Sequence, residues 1–331
     1  MKIIRWGILG TGRIARKFAS DLKLVDNCEL IAAGSSTAES AAKFRHEIQV
    51  KYSYDNYNDL VNNPGVDVIY VATPHSFHHE HALLCLNHGK AVLCEKAFAM
   101  NARQAAEMIN TAREKKVFLM EALWTKFQPH YNKLQEMLSQ GLLGDIRVML
   151  VNFGFKPMPP VPPRLFDPAL GGGTMLDIGI YNVFITLSVL GRPDHIDAVM
   201  TPASTGIDEQ CAVTFRYNNG AMAQLFSTFA SNLATEADIG GTQGRIRLTT
   251  RFYEPSSTFE LYTGRADSKE IIAIPKEPGF GYQYEARHVN DCLRNGLTES
   301  PVMTFADTLL LMETLDTIRK IAGIRYPADD E

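Results

Sequence analysis

At 331 residues the chain exceeds the ~250–300 at which a single hydrophobic core usually stops growing, so two domains are expected. Its 45% hydrophobic and 21% charged residues exclude a disordered chain, and 33 Lys+Arg against 37 Asp+Glu, a net charge of −4, argue against nucleic acid or an anionic membrane as partner. The five cysteines (Cys28, Cys85, Cys94, Cys211, Cys292) are far apart with no Cys-x-x-Cys, the first apolar run is broken by Arg5, and no run reaches ~18 apolar residues, so disulfide framework, structural zinc, secretion signal and membrane span are all unexpected and a cytoplasmic protein is anticipated.

The first 120 or so residues alternate short apolar runs with longer amphipathic ones, the pattern of βαβ units feeding a parallel sheet. Ile3–Leu9, Cys28–Ala33, Val66–Ala72, Ala91–Cys94 and Val117–Met120 read as strands. Arg13–Asp21, Thr37–His46, His79–Asn87 and Ala102–Lys115 read as the helices between them. The expectation is an α/β Rossmann domain, a doubly wound parallel sheet, over residues 1–122.

After Trp124 strands follow one another, and residues 123–331 read as an α+β domain with an open, mostly antiparallel sheet. Ile146–Phe155, Ile196–Met200, Ala212–Tyr217, Ala221–Phe229, Arg245–Thr250, Thr258–Tyr262 and Glu270–Ile274 are its strands, with a hairpin turn at Asn218-Asn219-Gly220. Thr174–Leu190, Tyr284–Asn295 and Thr304–Ala322 are its helices, and the proline cluster Pro157–Pro163 is a stiff surface loop.

Gly10-Thr11-Gly12-Arg13-Ile14-Ala15 follows the first strand and opens a helix, the context in which a G-x-G-x-x-A run binds a dinucleotide. The first glycine permits the turn, the second lets backbone approach the pyrophosphate, and Ala15 allows close packing. The second strand ends in Gly34-Ser35-Ser36-Thr37, with no carboxylate to hold a ribose diol. Its hydroxyls can donate to a phosphate as well as cap the next helix, so NADP(H) is favoured over NAD(H).

Ala72-Thr73-Pro74 with His75 and His78, and Glu95-Lys96, both close strands and so fall at the carboxyl edge of the sheet, where ligands bind. Gly171-Gly172-Gly173-Thr174 leads into a helix carrying Asp177 and Tyr181, whose i, i+4 spacing places carboxylate and phenol on one face. A phenol can take the proton of a carbinol if a nearby ammonium lowers its pKa from ~10, and Lys96 is the candidate. The cluster His75, His78, His79, His81 lacks a companion ligand set, so no metal is expected.

The Gly10 loop, Thr73-Pro74 with His78, Glu95-Lys96, Glu121-Ala122-Leu123-Trp124-Thr125 and Leu176-Asp177-Ile178-Gly179 together resemble the glucose-fructose oxidoreductase/inositol dehydrogenase/MocA-like oxidoreductases over nearly the whole chain. Glu121 through Pro129 and Tyr181 are most similar to the dimeric dihydrodiol dehydrogenase and NADP-dependent D-xylose dehydrogenase branch. Ala97 stands where relatives commonly have Pro, and Ser36 where some NADP-using relatives have Arg. The resemblance implies Lys96 and Tyr181 as the catalytic pair, Asp177 orienting substrate or base, and a sugar, polyol or trans-dihydrodiol as substrate. Trp124 either lines the substrate pocket or fills the core; Phe155, Arg164 and Phe166 either cover the substrate or scaffold the proline loop. A non-catalytic dinucleotide-binding regulator and a C=C or imine reductase are the rival readings. The second sheet, with Ala223, Leu225 and Ser227 alternating, resembles family sheets that pair face to face, which implies a homodimer.

Overall fold

A computed structural model describes residues 2–249, 251–255, 257–263 and 268–330. The chain divides into two compact units, Met1–Phe127 with Glu277–Leu309, and Gln128–Lys276 with Leu310–Glu331.

The first unit is built on a six-stranded sheet, β1 (Ile4–Leu9), β2 (Cys28–Gly34), β3 (Tyr52–Tyr54), β4 (Val68–Val71), β5 (Ala91–Glu95) and β6 (Leu119–Ala122), in the order β3-β2-β1-β4-β5-β6. Every neighbouring pair is parallel. All residues of β4, β5 and β6 are buried, as strands covered on both faces require, and apart from Glu95 and Glu121 all are apolar. The intervening helices are α1 (Arg13–Leu22), α2 (Ala38–Ile48), α3 (Tyr57–Asn62), α4 (His78–Asn87) and α5 (Ala102–Lys115). Gly10 takes φ +97°, and a Cβ there would lie 2.9 Å from the Ala72 carbonyl oxygen, so only glycine fits this crossing of the β1 and β4 ends.

The sequence reading grouped 123–331 together, whereas 277–309 pack with the first unit. The reason is long-range polar anchoring. The buried Asp21 carboxylate at the end of α1 accepts the N–H groups of Phe280, Gly281 and Tyr282 at 2.8–2.9 Å, capping α8 (Tyr282–Arg294). Trp6 Nε1 donates to Asn290 Oδ1 at 3.0 Å, and Phe18 packs edge-on against Tyr282 with centroids 6.4 Å apart.

The second unit holds an eight-stranded sheet, β7 (Ile146–Gly154), β8 (His195–Pro202), β9 (Asp208–Arg216), β10 (Met222–Thr228), β11 (Glu236–Gly241), β12 (Gly244–Thr249), β13 (Thr258–Thr263) and β14 (Lys269–Ile272), ordered β14-β13-β12-β11-β7-β10-β9-β8. Among the described residues only the neighbouring pair β7–β10 is parallel, and the other pairs are antiparallel. Thr250, placed at the end of the expected strand Arg245–Thr250, lies outside the described residues. The turn at 218–220 joins β9 to β10 as expected, with Gly220 at φ +85°. The remaining helices are α6 (Pro129–Ser139), α7 (Ile180–Leu190) and α9 (Phe305–Ala322).

The helix expected over Thr174–Leu190 begins instead with a π-helical turn, Met175–Gly179, before α7. Asp177 and Tyr181 are therefore separated by a wider turn than α-helical spacing implies. Pro168–Leu190 is, among the described residues, the one stretch long and apolar enough to cross a membrane, but 78% of its most apolar part is buried inside the protein, as in a core helix. α7 packs on β7 and β10. Ala223, Leu225 and Ser227 are 0–4% exposed and face inward, which corrects their expected place on a pairing surface. The outward register is the alternate one, including Val148, Leu150 and Met222 at 44–45% exposure.

Candidate active site

The dinucleotide end of the first unit starts at Gly12, the N-cap of α1, which has extended backbone and no capping side chain. A Cβ at Gly12 would meet nothing within 4 Å. That open cradle of first-turn N–H groups fits a pyrophosphate, and Thr11, Arg13 and Ile14 sit around it. Arg16, absent from the sequence expectation, closes the loop: its Nη1 donates to Thr11 O and, at 3.1 Å, to Gly12 O, while Nε pairs with Glu47 at 2.6 Å.

At the β2 end Thr11 Oγ1 donates to the buried Ser35 Oγ at 3.0 Å. Thr37 caps α2, accepting Ser40 N–H at 3.3 Å. Facing this strand end across the sheet, Thr73 Oγ1 lies 3.0 Å from His81 Nδ1, and the His81 ring packs against Tyr57 and Phe77. Burial pushes the His81 pKa down to about 4.

His78 is fully buried between two backbone carbonyls, Nδ1 2.7 Å from Ala97 O and Nε2 2.8 Å from Thr73 O. It ties the loop after β4, carrying Thr73 and Pro74 beyond Ala72, to the loop after β5. Burial lowers its pKa to about 4, so the ring is neutral and donates to one carbonyl at a time. Glu95 is also engaged by protein donors: one oxygen accepts from Tyr70 OH and the other from Lys96 N–H at 3.1 Å. Glu95 thus links the Tyr70 hydroxyl to the Lys96 backbone. Of the remaining histidines of the cluster, His75 packs edge-on against His78, centroids 5.7 Å apart, and His79 pairs with Glu107 at 2.9 Å. Trp124 is 6% exposed and stacked on Tyr282, centroids 4.5 Å apart.

In the second unit Arg164 Nη1 donates to Asp177 Oδ1 at 3.0 Å. Tyr181, 6% exposed, belongs to an aromatic group that sequence reasoning missed, with Tyr253 4.7 Å and Phe153 6.0 Å from its centroid. Phe155 and Phe166 both pack edge-on against Phe229. Tyr253 sits in a loop between strands, and nothing local in the sequence marks it.

A glycine turn opening to a helix N-terminus, a lysine at a β-strand carboxyl end, and a carboxylate and phenol on one helical segment are the parts of a dehydrogenase. Residues 4–123 match the model of an oxidoreductase family with NAD-binding Rossmann fold, and residues 131–247 match the C-terminal domain of the same GFO/IDH/MocA family.

The chain belongs to the GFO/IDH/MocA oxidoreductase family. It is 36% identical to the trans-1,2-dihydrobenzene-1,2-diol dehydrogenase of Sus scrofa, covering 98% of this chain and 99% of that one. The human protein of that name is 35% identical over the same shares. Among solved structures, a 3-ketoreductase from Actinomadura kijaniata in complex with NADP and TDP-benzene superposes with a TM-score of 0.87 at 25% identity, covering 96% of this chain and 98% of that one. That enzyme was also solved with a lysine replaced by alanine or glutamate, and with a tyrosine replaced by phenylalanine. As a member of this family the chain is an NAD(P)-dependent oxidoreductase.

Proposed function

We propose that this oxidoreductase oxidises one carbinol carbon of a trans-dihydrodiol of an arene, with NADP as acceptor. The observation that carries the reading is the aromatic surface beside Tyr181, formed by Tyr253 and Phe153, on the same unit as the Arg164–Asp177 pair. An unsaturated carbocycle offers its face to such rings and its hydroxyls to a carboxylate and a phenol. The names of the relatives at 35–37% identity support the same substrate class.

Tyr181 takes the hydroxyl proton, Lys96 lowers the phenol pKa and positions the substrate oxygen, and Asp177 orients the diol. The nicotinamide, when bound, supplies the hydride acceptor. Ser35, Ser36 and Thr37, at the start of α2, supply hydroxyl donors for the NADP ribose phosphate. We place the enzyme in the cytoplasm, in keeping with five free cysteines. We also propose a homodimer through the outward face of the eight-stranded sheet, where Val148, Leu150, Met222 and Val199 are 44–65% exposed. Light scattering coupled to size exclusion showing only monomer would remove the dimer.

The test follows NADP reduction at the reduced-nicotinamide band with trans-dihydrodiols, pentoses and hexoses. The expected result is the highest kcat/KM on a dihydrodiol, abolished by Lys96→Met and by Tyr181→Phe. Preference for a pentose would replace the substrate. Cofactor binding without turnover on any carbinol would favour the regulator, and C=C or imine reduction surviving in Asp177→Asn would favour that reductase.

A further inference from the structure

The segment bearing Asp177 and Tyr181 is held to the sheet at two points that flank them. Before Asp177, Asp208 at the start of β9 accepts Met175 N–H at 2.6 Å and Thr174 O–H at 2.7 Å on the same oxygen, Oδ2. Ser227 on β10 donates to the same Thr174 hydroxyl at 3.0 Å, extending the chain of bonds to a second strand. Beyond Tyr181, Asn182 Nδ2 donates to Phe226 O on β10 at 2.9 Å.

The glycine turn ahead of the helix is shaped around Asp208. Gly173 takes φ +105°, and a Cβ there would lie 2.2 Å from Asp208 Oδ1. Tyr326, near the end of the chain, donates its phenol to Gly172 O at 2.6 Å, fixing the same turn from the other side. Asp208, Thr174 and Ser227 are 0–1% exposed.

A cap alone does not need this carboxylate. Asparagine, serine or threonine accepts a first-turn N–H without burying a charge. We propose that Asp208 is a positioning residue of the reaction: it sets the register of the π-helical turn, and thereby where Asp177 and Tyr181 are presented, without touching substrate or cofactor. The inference rests on the reading of Tyr181 as the acid–base group.

Asp208→Ala is the test, measured well below its unfolding temperature, with Ile246→Ala as a core variant of the same sheet and Tyr181→Phe alongside. Misplacement of a reacting group by about 1 Å lowers rate on the order of 100-fold. The expected result is a fall in kcat of that order in Asp208→Ala, with NADP Kd within about twofold of wild type and Ile246→Ala keeping wild-type kcat. Asp208→Asn, whose amide oxygen still accepts Met175 N–H, should recover kcat to within about fivefold. If Asp208→Ala does not fold, Thr174→Val takes its place, with kcat lowered by about tenfold or more. Wild-type kcat in folded Asp208→Ala, or in Thr174→Val where that stands in, overturns the inference while an inactive Tyr181→Phe leaves the acid–base reading intact. An active Tyr181→Phe fails that reading instead, whatever Asp208 does.

Discussion

Arg164 and Asp177 form an ion pair at 3.0 Å in which the carboxylate is the more buried partner, its side chain 12% exposed against 39% for the guanidinium. Arg164 comes directly after the proline cluster, so the pair links that loop to the turn carrying Asp177. The guanidinium holds one Asp177 oxygen and so fixes the orientation of the carboxylate. A part-exposed pair is itself worth ~0–1 kcal/mol, so its importance is geometric. Arg164→Gln should raise KM for the diol about fivefold with little change in kcat, whereas Asp177→Asn should lower kcat/KM about 100-fold. A double-mutant cycle on kcat/KM should show coupling of about 0.5 kcal/mol or more. Strict additivity would mean that the two act independently.

The two glycines of the cofactor loop separate a folding role from a binding role. Gly10, at φ +97° against the Ala72 carbonyl, has no room for a side chain. Gly12 has normal backbone angles and open space where its Cβ would be. Gly10→Ala should therefore cost more than about 2 kcal/mol of stability through strain and a steric clash. Gly12→Ala should cost no more than about 1 kcal/mol, that of a poorer cap, yet weaken NADP binding about tenfold or more because the methyl occupies the pyrophosphate cradle. Chemical denaturation and cofactor fluorescence titration of both variants check this, and wild-type affinity in Gly12→Ala would place the pyrophosphate elsewhere.

These glycines were legible because their signal is local: a strand, a turn and a helix within fifteen residues. The same holds for Ala102–Lys115, expected and found with the same limits, and for Thr37, whose capping role is confirmed. What escaped depends on partners distant in sequence. β11, Glu236–Gly241, carries two carboxylates and two glycines around a single β-branched residue, Ile239; its place comes from Arg245 and Arg247 on the next strand, which pair with Asp238 and Glu236. β3 is three residues long. Asp21 caps a helix some 260 positions later, and Asp208 caps one 33 positions earlier, and neither leaves a capping motif in the sequence. Fold class was therefore visible, while residues such as Asp21 and Asp208, which anchor segments distant in sequence, were not.

Tyr253 should decide between flat and saturated substrates. Its ring lies 4.7 Å from Tyr181 and 4.6 Å from Phe153. Losing one aromatic contact of this kind costs about 0.5–1.5 kcal/mol, or roughly 2- to 13-fold in kcat/KM. Tyr253→Leu should lose that much on a trans-dihydrodiol and less on a pentose, whereas Tyr253→Phe, which keeps the ring, should match wild type on both. Equal losses on both substrates would make Tyr253 a packing residue with no part in selection.

Asp208 also makes a prediction about stability. Burial raises its pKa from 3.8 to about 6, against the opposing bonds from Thr174 and Met175. A carboxyl whose folded pKa is raised stabilises the fold fully below the unfolded pKa, and that contribution is lost as pH rises through the folded value. Between about pH 4 and 6 the native state thus forfeits up to about 3 kcal/mol at this one site. The groups facing it are the Tyr326 phenol, from the chain's end, and Cys211 on its own strand, both raised in pKa and neutral across this range. Glu121, raised to about 7, acts in the same direction, while His78 and His130, lowered to about 4, act oppositely, losing stability as pH falls. The difference between wild type and Asp208→Asn removes these shared contributions. Urea midpoints of the two should coincide near pH 4 and diverge toward pH 7, the asparagine variant becoming the more stable. A constant difference across that range would show that Asp208 ionises in the fold as readily as in water, and that its charge is kept at no cost to stability.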